Sequence, residues 1–376
     1  MSDAREAAGR QRATIPGTPP SERRSEQTNT PSDAREAAGQ QRATTPGTPP
    51  SERRSEQEST GGGLLVAGDV VTDVVALHRA PLARGTDTEA VIRILPGGAG
   101  ANAACWAARW GLTDVRVLAQ VGAGDAAWHE GQLLAAGVRP LLVADRDAPT
   151  ATVIALVDAT AERTFLTDNG AALRLAPADW SPSLLEGIGH LHVSGYLLFS
   201  DAGRGLVRLA LETARSRGVT TSVDPASTGF IAALGVDRTL AAIDGVDVLL
   251  PNADEARLLT GLPDAADAAA KLSRIVPLTV VTLGARGALV AQSGAVTARV
   301  PGIRAQAVDS TGAGDAFTGA FLAAWLAGGD AARAAADGCR AGAEAVTALG
   351  GRPWKASDAQ PLAVAPEADA GAGPGA

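Results

Sequence analysis

The segment with the clearest chemical potential is Val308–Phe317, which reads VDSTGAGDAF. Phe317, Ala320, Phe321, Ala324 and Trp325 follow at helical spacing, which predicts a helix that buries one face. The glycines therefore stand at a helix N-terminus, where N–H groups without intrahelical partners and the helix dipole favour an anion. Gly312 and Gly314 let a phosphate approach the backbone with no side chain in the way. Asp315, in the first turn, is placed to take a proton from an attacking hydroxyl; a simple acidic helix cap is the other use of such a residue.

A second glycine cluster, Pro96-Gly97-Gly98-Ala99-Gly100-Ala101-Asn102, also leads into a helix-like stretch. Ala103 stands where the last glycine of a dinucleotide fingerprint G-x-G-x-x-G belongs, so a backbone loop with an Asn amide for sugar hydroxyls fits better. Gly68-Asp69-x-x-x-Asp73 follows the first apolar run and places Asp73 near a strand's C-terminal end, where open α/β sheets bind ligands. Asn252-x-x-Glu255 and Thr282-Leu283-Gly284-Ala285-Arg286-Gly287 follow two further runs, and each alone serves equally well as a cap or turn. No Walker G-x-x-x-x-G-K-[ST] exists, because neither Lys271 nor Lys355 has the glycines before it.

These loops need a frame, and the chain alternates in a way that supplies one. Apolar runs at Leu64–Val71, Val115–Val121, Thr152–Val157, His190–Leu197, Thr220–Val223, Val246–Leu250 and Leu278–Thr282 read as strands. Helix-length segments at Ala101–Trp110, Gly205–Arg217, Ala253–Leu259 and Ala265–Val276 lie between several of them. Such alternation predicts an α/β fold with a parallel sheet covered on both faces. Val74–Leu95 interrupts the scheme and, with Thr152–Leu166, predicts a small antiparallel sheet beside the main one.

The first 60 residues are different material. Ser2–Gln27 recurs almost unchanged as Ser32–Gln57, rich in charge and Pro and nearly free of large apolar residues, so residues 1–61 read as a disordered tail. A start codon set too early is the rival explanation. Residues 356–376, rich in Ala, Pro and Gly, read as a second tail, which leaves 62–355 as the folded domain. A net charge of −8 argues against nucleic-acid or anionic-membrane partners, and no apolar run reaches the roughly 20 residues of a membrane span. With no secretory-type apolar leader and only Cys105 and Cys339, the expected location is the cytoplasm. His190-x-His192 lacks a third ligand nearby and reads as structural. Val121-Gly122-Ala123-Gly124-Asp125 is a further loop with a structural or substrate-side role.

Taken together, GGAGANAA, PNADEARLLTG, VTLGARGAL and DSTGAGDAF resemble, in order and separation, the ribokinase/PfkB carbohydrate kinases, from about Leu64 to Gly351. The resemblance implies a ribokinase-like three-layer α/β/α fold with a mostly parallel central sheet. A small β-sheet lid, from about 74–96 and 150–170, would cover the sugar and in some members forms a homodimer interface. It implies transfer of a phosphoryl group from ATP, with Mg²⁺, to a hydroxyl of a sugar-like small molecule. Asp315 would be the base, and Gly312, Ala313 and Gly314 the anion hole. Asp73, Gly98 and Asn102 would contact the acceptor, and Arg163 is either a solvated lid residue or a contact for an acidic acceptor. Asn252 and Glu255 would organise Mg²⁺ and phosphate through water, and Thr282, Gly284 and Gly287 the nucleotide. Backbone around Asp309, Thr311 and Ala348–Gly350 matches the region where members hold a monovalent cation such as K⁺. A nucleoside kinase and a non-catalytic binding protein on the same scaffold are the alternatives; the small number of Phe and Tyr residues favours a plain sugar over a nucleoside.

Overall fold

A computed structural model describes residues 62–159 and 163–353, Arg163 by its backbone alone. The two tail assignments, residues 1–61 and 356–376, fall outside the described residues.

The chain runs β1 (Gly63–Ala67), β2 (Val71–His78), β3 (Ala90–Gly97), α1 (Ala99–Arg109), β4 (Val115–Gly122), α2 (Ala126–Ala135) and β5 (Arg139–Asp145). It continues through β6 (Ala151–Val157), β7 (Arg163–Asp168), β8 (Ile188–Ser194), α3 (Asp201–Ser216), β9 (Thr220–Asp224), α4 (Thr228–Leu234), α5 (Val236–Ala242) and β10 (Val248–Leu249). The last elements are α6 (Ala253–Thr260), α7 (Ala265–Leu272), β11 (Leu278–Thr282), β12 (Gly287–Gln292), β13 (Ala295–Pro301), α8 (Ala313–Leu326) and α9 (Ala331–Ala345).

Nine strands form the central sheet in the order β13-β12-β11-β10-β9-β8-β1-β4-β5. From β11 to β5 the neighbours pair in parallel, and β12 alone runs against the rest, pairing antiparallel with β11 and β13. Parallel strands are covered on both faces, and β1 shows how. Leu65 and Ala67 join a core with Leu206 of α3, Ile231 of α4 and Leu272 of α7. Leu64 and Val66 face the other way, into a core with Cys105 of α1, Phe317 and Phe321 of α8 and Ala335 of α9. This is the three-layer α/β/α arrangement expected.

Three local expectations change. The run Leu64–Val71 is not one strand: it breaks at Gly68-Asp69-Val70, where the chain leaves the central sheet for the small one. His190–Leu197 stops being a strand at Ser194, and Gly195–Phe199 winds into a 3-10 turn. The small sheet, ordered β3-β2-β6-β7, is mixed and not wholly antiparallel, because its central pair β2–β6 is parallel. Both strands enter the sheet in the same direction, and their returns β3 and β7 add antiparallel at each edge. His190 and His192 are buried within the central sheet and share Ser222 Oγ at 2.7 and 2.8 Å, which is the structural role expected of them. Val121–Asp125 is likewise structural. Gly122 N–H donates to Thr150 Oγ1, whose hydroxyl bonds the Asp125 carboxylate.

Two glycines set the helix packing that matters for the site. A β-carbon on Gly319 of α8 would strike Ala103 O and the Trp106 side chain of α1, so only glycine lets these helices approach so closely. Gly338 makes the same allowance for the Phe317 ring against α9. Among the described residues, no helix is long and apolar enough to cross a membrane.

Candidate active site

The loops after β1, β8, β9, β10 and β11 open at the C-terminal ends of the parallel strands, where they meet the N-terminus of α8 and the inner face of the small sheet. A cavity of about 420 Å³ lies there. Asp69, Asp73, Asp224, Glu255 and Asp315 all line it, and no Lys or Arg does among the described residues. Such a concentration of acid asks for a counter-charge or for hydroxyl donors.

Asp315 owes its place to the first turn of α8, which Gly312 opens in the left-handed region at φ 73°. A β-carbon on Gly312 would run into Gly351, whereas one on Gly314 would meet nothing within 4 Å, so the helix start is open where an anion would sit. First-turn N–H groups of a helix lack intrahelical acceptors and are available to it. The Asp315 carboxylate accepts a hydrogen bond from Asn102 Nδ2 at 2.8 Å across the α1–α8 contact. Burial pushes this carboxyl well above the usual range. Asn102 opposes the shift, and the nearby Asp224, Asp69 and Asp73 carboxylates add to it. A carboxylate so placed holds its proton more tightly once acquired, which suits a general base.

The glycine loop before α1 is held by Asp69, which accepts from Ala99 N (2.8 Å), Gly100 N (3.1 Å) and Ser194 Oγ (2.8 Å). Gly98 adopts φ 96° with its Cα pressed against the Asp69–Val70 backbone. Asp73, on β2, abuts Gly97, where a β-carbon would collide with its carboxylate. Burial raises the Asp73 carboxyl to about 7, Arg352 opposes the rise, and Asp69 and Asp309 contribute to it. From the far end of the chain, Gly351 packs on the Asn102 amide, its carbonyl accepts from Trp106 Nε1 (2.8 Å), and Arg352 Nη2 donates to Gly97 O (3.1 Å). Asp309 completes the brace by accepting from Thr311 N (2.8 Å) and Gly350 N (2.9 Å). The segments proposed for the cation therefore adjoin the helix start.

On the other side, Asn252 and Glu255 form a reciprocal capping box at the start of α6. Asn252 N–H and Nδ2 donate to Glu255 at 2.8 and 2.6 Å. Burial, reinforced by Asp224, raises the Glu255 carboxyl to about 8 against the pull of those bonds. Burial likewise lifts Asp224 to about 6. Among the described residues, no group of three or more His, Cys, Asp or Glu side chains is arranged to hold a metal ion. Mg²⁺, which keeps several waters and commonly binds one or two carboxylates plus substrate phosphates, fits this donor set. Thr282 lines the cavity beside Asn252. Gly284 and Gly287 do not line it; they shape the β11–β12 turn, and Gly287 at φ 98° lies tight against Val300 O.

The structure thus brings Asp73, Gly98, Asn102, Asn252, Glu255, Thr282, Thr311, Gly312, Gly314 and Asp315 to one cavity. Ala313 begins α8 beside them. Arg163 opens β7 with its backbone paired to Val157, and its side chain lies outside the described residues. Sequence reasoning missed Asp69 as the brace, Asp224, Arg352 and the aromatic lining formed by Tyr196 and Phe230. Asp224 ends β9 and Asp69 stands in the short link just after β1, a signal that was available; Arg352 lies beyond the last motif and gave none.

Residues 63–356 match the model of the pfkB family carbohydrate kinases. A fructokinase of Klebsiella pneumoniae is 31% identical over 280 residues, covering 71% of this chain and 86% of that protein. A 2-dehydro-3-deoxygluconokinase of Thermoproteus tenax is 33% identical over 176 residues, 45% of this chain and about half (53%) of its own length. Among solved structures, a candidate ribokinase II of E. coli in complex with ATP and Mg²⁺ superposes with a TM-score of 0.69 at 24% identity, covering 77% of this chain and 94% of that one, a likeness of fold. With the family's match extending from β1 past Arg352, through every element that builds the cavity, the chain is a member of the pfkB family of carbohydrate kinases.

Proposed function

We propose that the protein transfers the γ-phosphoryl group of ATP to a hydroxyl of a sugar-like acceptor, with Asp315 as the base. The observation that carries this reading is the Asn102–Asp315 contact at the open start of α8, in one cavity with Asp73 and Glu255. Asp73 and Asn102 receive and orient the acceptor's hydroxyls, and Asp315 accepts the proton of the attacking one. Backbone N–H groups of Gly312, Ala313 and Gly314 stabilise the charge on the transferring group, a contribution of about 3–4 kcal/mol for one good donor. The transition state is loose, so placement does most of the work and the base need not pull hard on the hydroxyl proton. Asn252 and Glu255, through water, would hold Mg²⁺ with the nucleotide, where it supplies neutralisation of phosphate charge.

Two finer features belong to the same reading. Backbone around Asp309, Thr311 and Ala348–Gly350 is the place for a monovalent cation, and replacing K⁺ by Na⁺ or Li⁺ should then lower turnover. The small sheet turns Ile92, Ile94 and Leu166 outward with 57%, 63% and 55% exposure, enough apolar surface to favour a homodimer through the lid. Ile94→Asp should make a dimer monomeric in light scattering, and an unchanged mass would discard that interface. The reading as a whole is tested by ADP release from Mg·ATP with a panel of sugars, sugar acids and nucleosides. Acceptor-dependent release supports it, and bound ATP with no release under any acceptor contradicts it.

A further inference from the structure

The chain contains five Phe and one Tyr. Four of these six gather at the cavity: Phe165, Tyr196 and Phe230 line it, and Phe199 backs them. Phe199 and Phe230 stack with centroids 4.3 Å apart and planes 21° from parallel. Tyr196 stands edge-on to both, at 6.0 and 5.7 Å. A braced cluster of this kind loses little freedom on binding, so a ligand gains most of its contact energy.

The cluster belongs to the acceptor half. Phe165 lies on β7, in the same small sheet as Asp73. Tyr196 follows β8, which pairs with β1, and its phenol lies within the field of the Asp69 and Asp315 carboxylates first, and of Asp224 and Glu255 after them. Asn252 and Thr282, by contrast, follow β10 and β11. The acceptor therefore meets polar groups in Asp73, Asn102 and Asp315 and an apolar lining in the aromatic residues with Val153 and Leu173. A free sugar carries hydroxyls around its whole ring, and each one buried without a partner costs free energy. A sugar joined to a planar heteroaromatic ring divides as the cavity does.

On the basis of the kinase reading above, we propose that the acceptor is a sugar bearing a planar aromatic group, as in a nucleoside, with Tyr196 and Phe230 as the platform for that group. The small total of aromatic residues, which pointed to a plain sugar, concealed their concentration at one place.

The test is steady-state phosphoryl transfer by the full chain with Mg·ATP to ribose, methyl β-riboside, adenosine and uridine, with fructose as an unrelated free sugar. At least one nucleoside should exceed ribose and methyl riboside at least about tenfold in kcat/KM. Tyr196→Leu and Phe230→Leu should each lower that ratio about tenfold, the order expected for loss of one stacked ring, and should leave the KM for ATP within about twofold. Phe230→Met replaces any variant that fails to fold by circular dichroism. Ribose, methyl riboside or fructose used as well as the nucleosides overturns the inference and leaves the kinase standing. Variants that raise the KM for ATP without changing the acceptor ratio also overturn it, because the platform would then serve the donor. Absence of transfer to any acceptor, with ATP bound, overturns both.

Discussion

Lowering the pH from 8 to 6 should weaken acceptor binding about tenfold through Asp73 alone. Burial holds this carboxyl at about 7, with Arg352 pulling it down and Asp69 and Asp309 pushing it up. With a midpoint near 7, about ten-elevenths of Asp73 is ionised at pH 8 and about one-eleventh at pH 6. If the carboxylate is the form that accepts the acceptor's hydroxyl protons, Kd scales inversely with that fraction. Arg352→Met removes the one cation opposing the rise, so the midpoint should move above 7 and binding at pH 7.5 should weaken, recovering towards pH 9. Arg352→Lys should restore most of the wild-type curve, since a charge is retained. Calorimetric Kd values without ATP, from pH 5.5 to 9, read this directly. A flat Kd between pH 6 and 8, or a midpoint that falls in Arg352→Met, would refute the reasoning.

Other expectations follow from the same contacts. Glu255 has a folded pKa of about 8 against an ordinary value of 4.5, so its contribution to stability is full below about 4.5 and is lost as pH rises through 8. The ligand-free wild-type thermal midpoint should therefore fall relative to Glu255→Gln between pH 5 and 8, and parallel curves would contradict this. Gly351→Ala drives a β-carbon into the Asn102 amide and should lower kcat/KM tenfold or more through the Asn102–Asp315 contact; an unchanged kcat/KM would sever that link. His190→Leu leaves Thr220 and Ser222 short of a partner and should cost about 1–3 kcal/mol in denaturant unfolding with normal turnover at 25 °C. Turnover lost and then restored by added zinc would make the histidines ligands after all.

What the sequence disclosed and what it hid divide along physical lines. The open start of α8 was legible because glycines before an apolar helical stretch have a local signature that needs no partner, although α8 is buried on all sides from Ala316 to Ala323 and not on one face as its spacing predicted. The Asn102–Asp315 bond was not, since it spans 213 residues and depends on Gly319 letting α1 and α8 approach. Gly287 illustrates the converse: a motif glycine whose visible work is a tight turn against Val300 O. Asp69 and Asp73 stood in one motif, yet only the fold shows the first bracing the loop while the second faces the cavity. The break at Gly68–Val70 carried a signal, since Gly68 and Asp69 interrupt the apolar run, but apolar residues on both sides let the run be read through as one strand. The aromatic lining was hidden most completely: composition counts residues, and only the fold brings Phe165, Tyr196 and Phe230 together.

The most direct test of the central claim is single-turnover phosphoryl transfer by Asp315→Asn beside the wild type, with ATP binding measured on the same preparations. The account predicts loss of transfer by at least a hundredfold, the low end of what a positioned base contributes, with ATP affinity and thermal midpoint nearly unchanged. Transfer by Asp315→Asn within a few-fold of wild type would contradict it and remove the base from the site described.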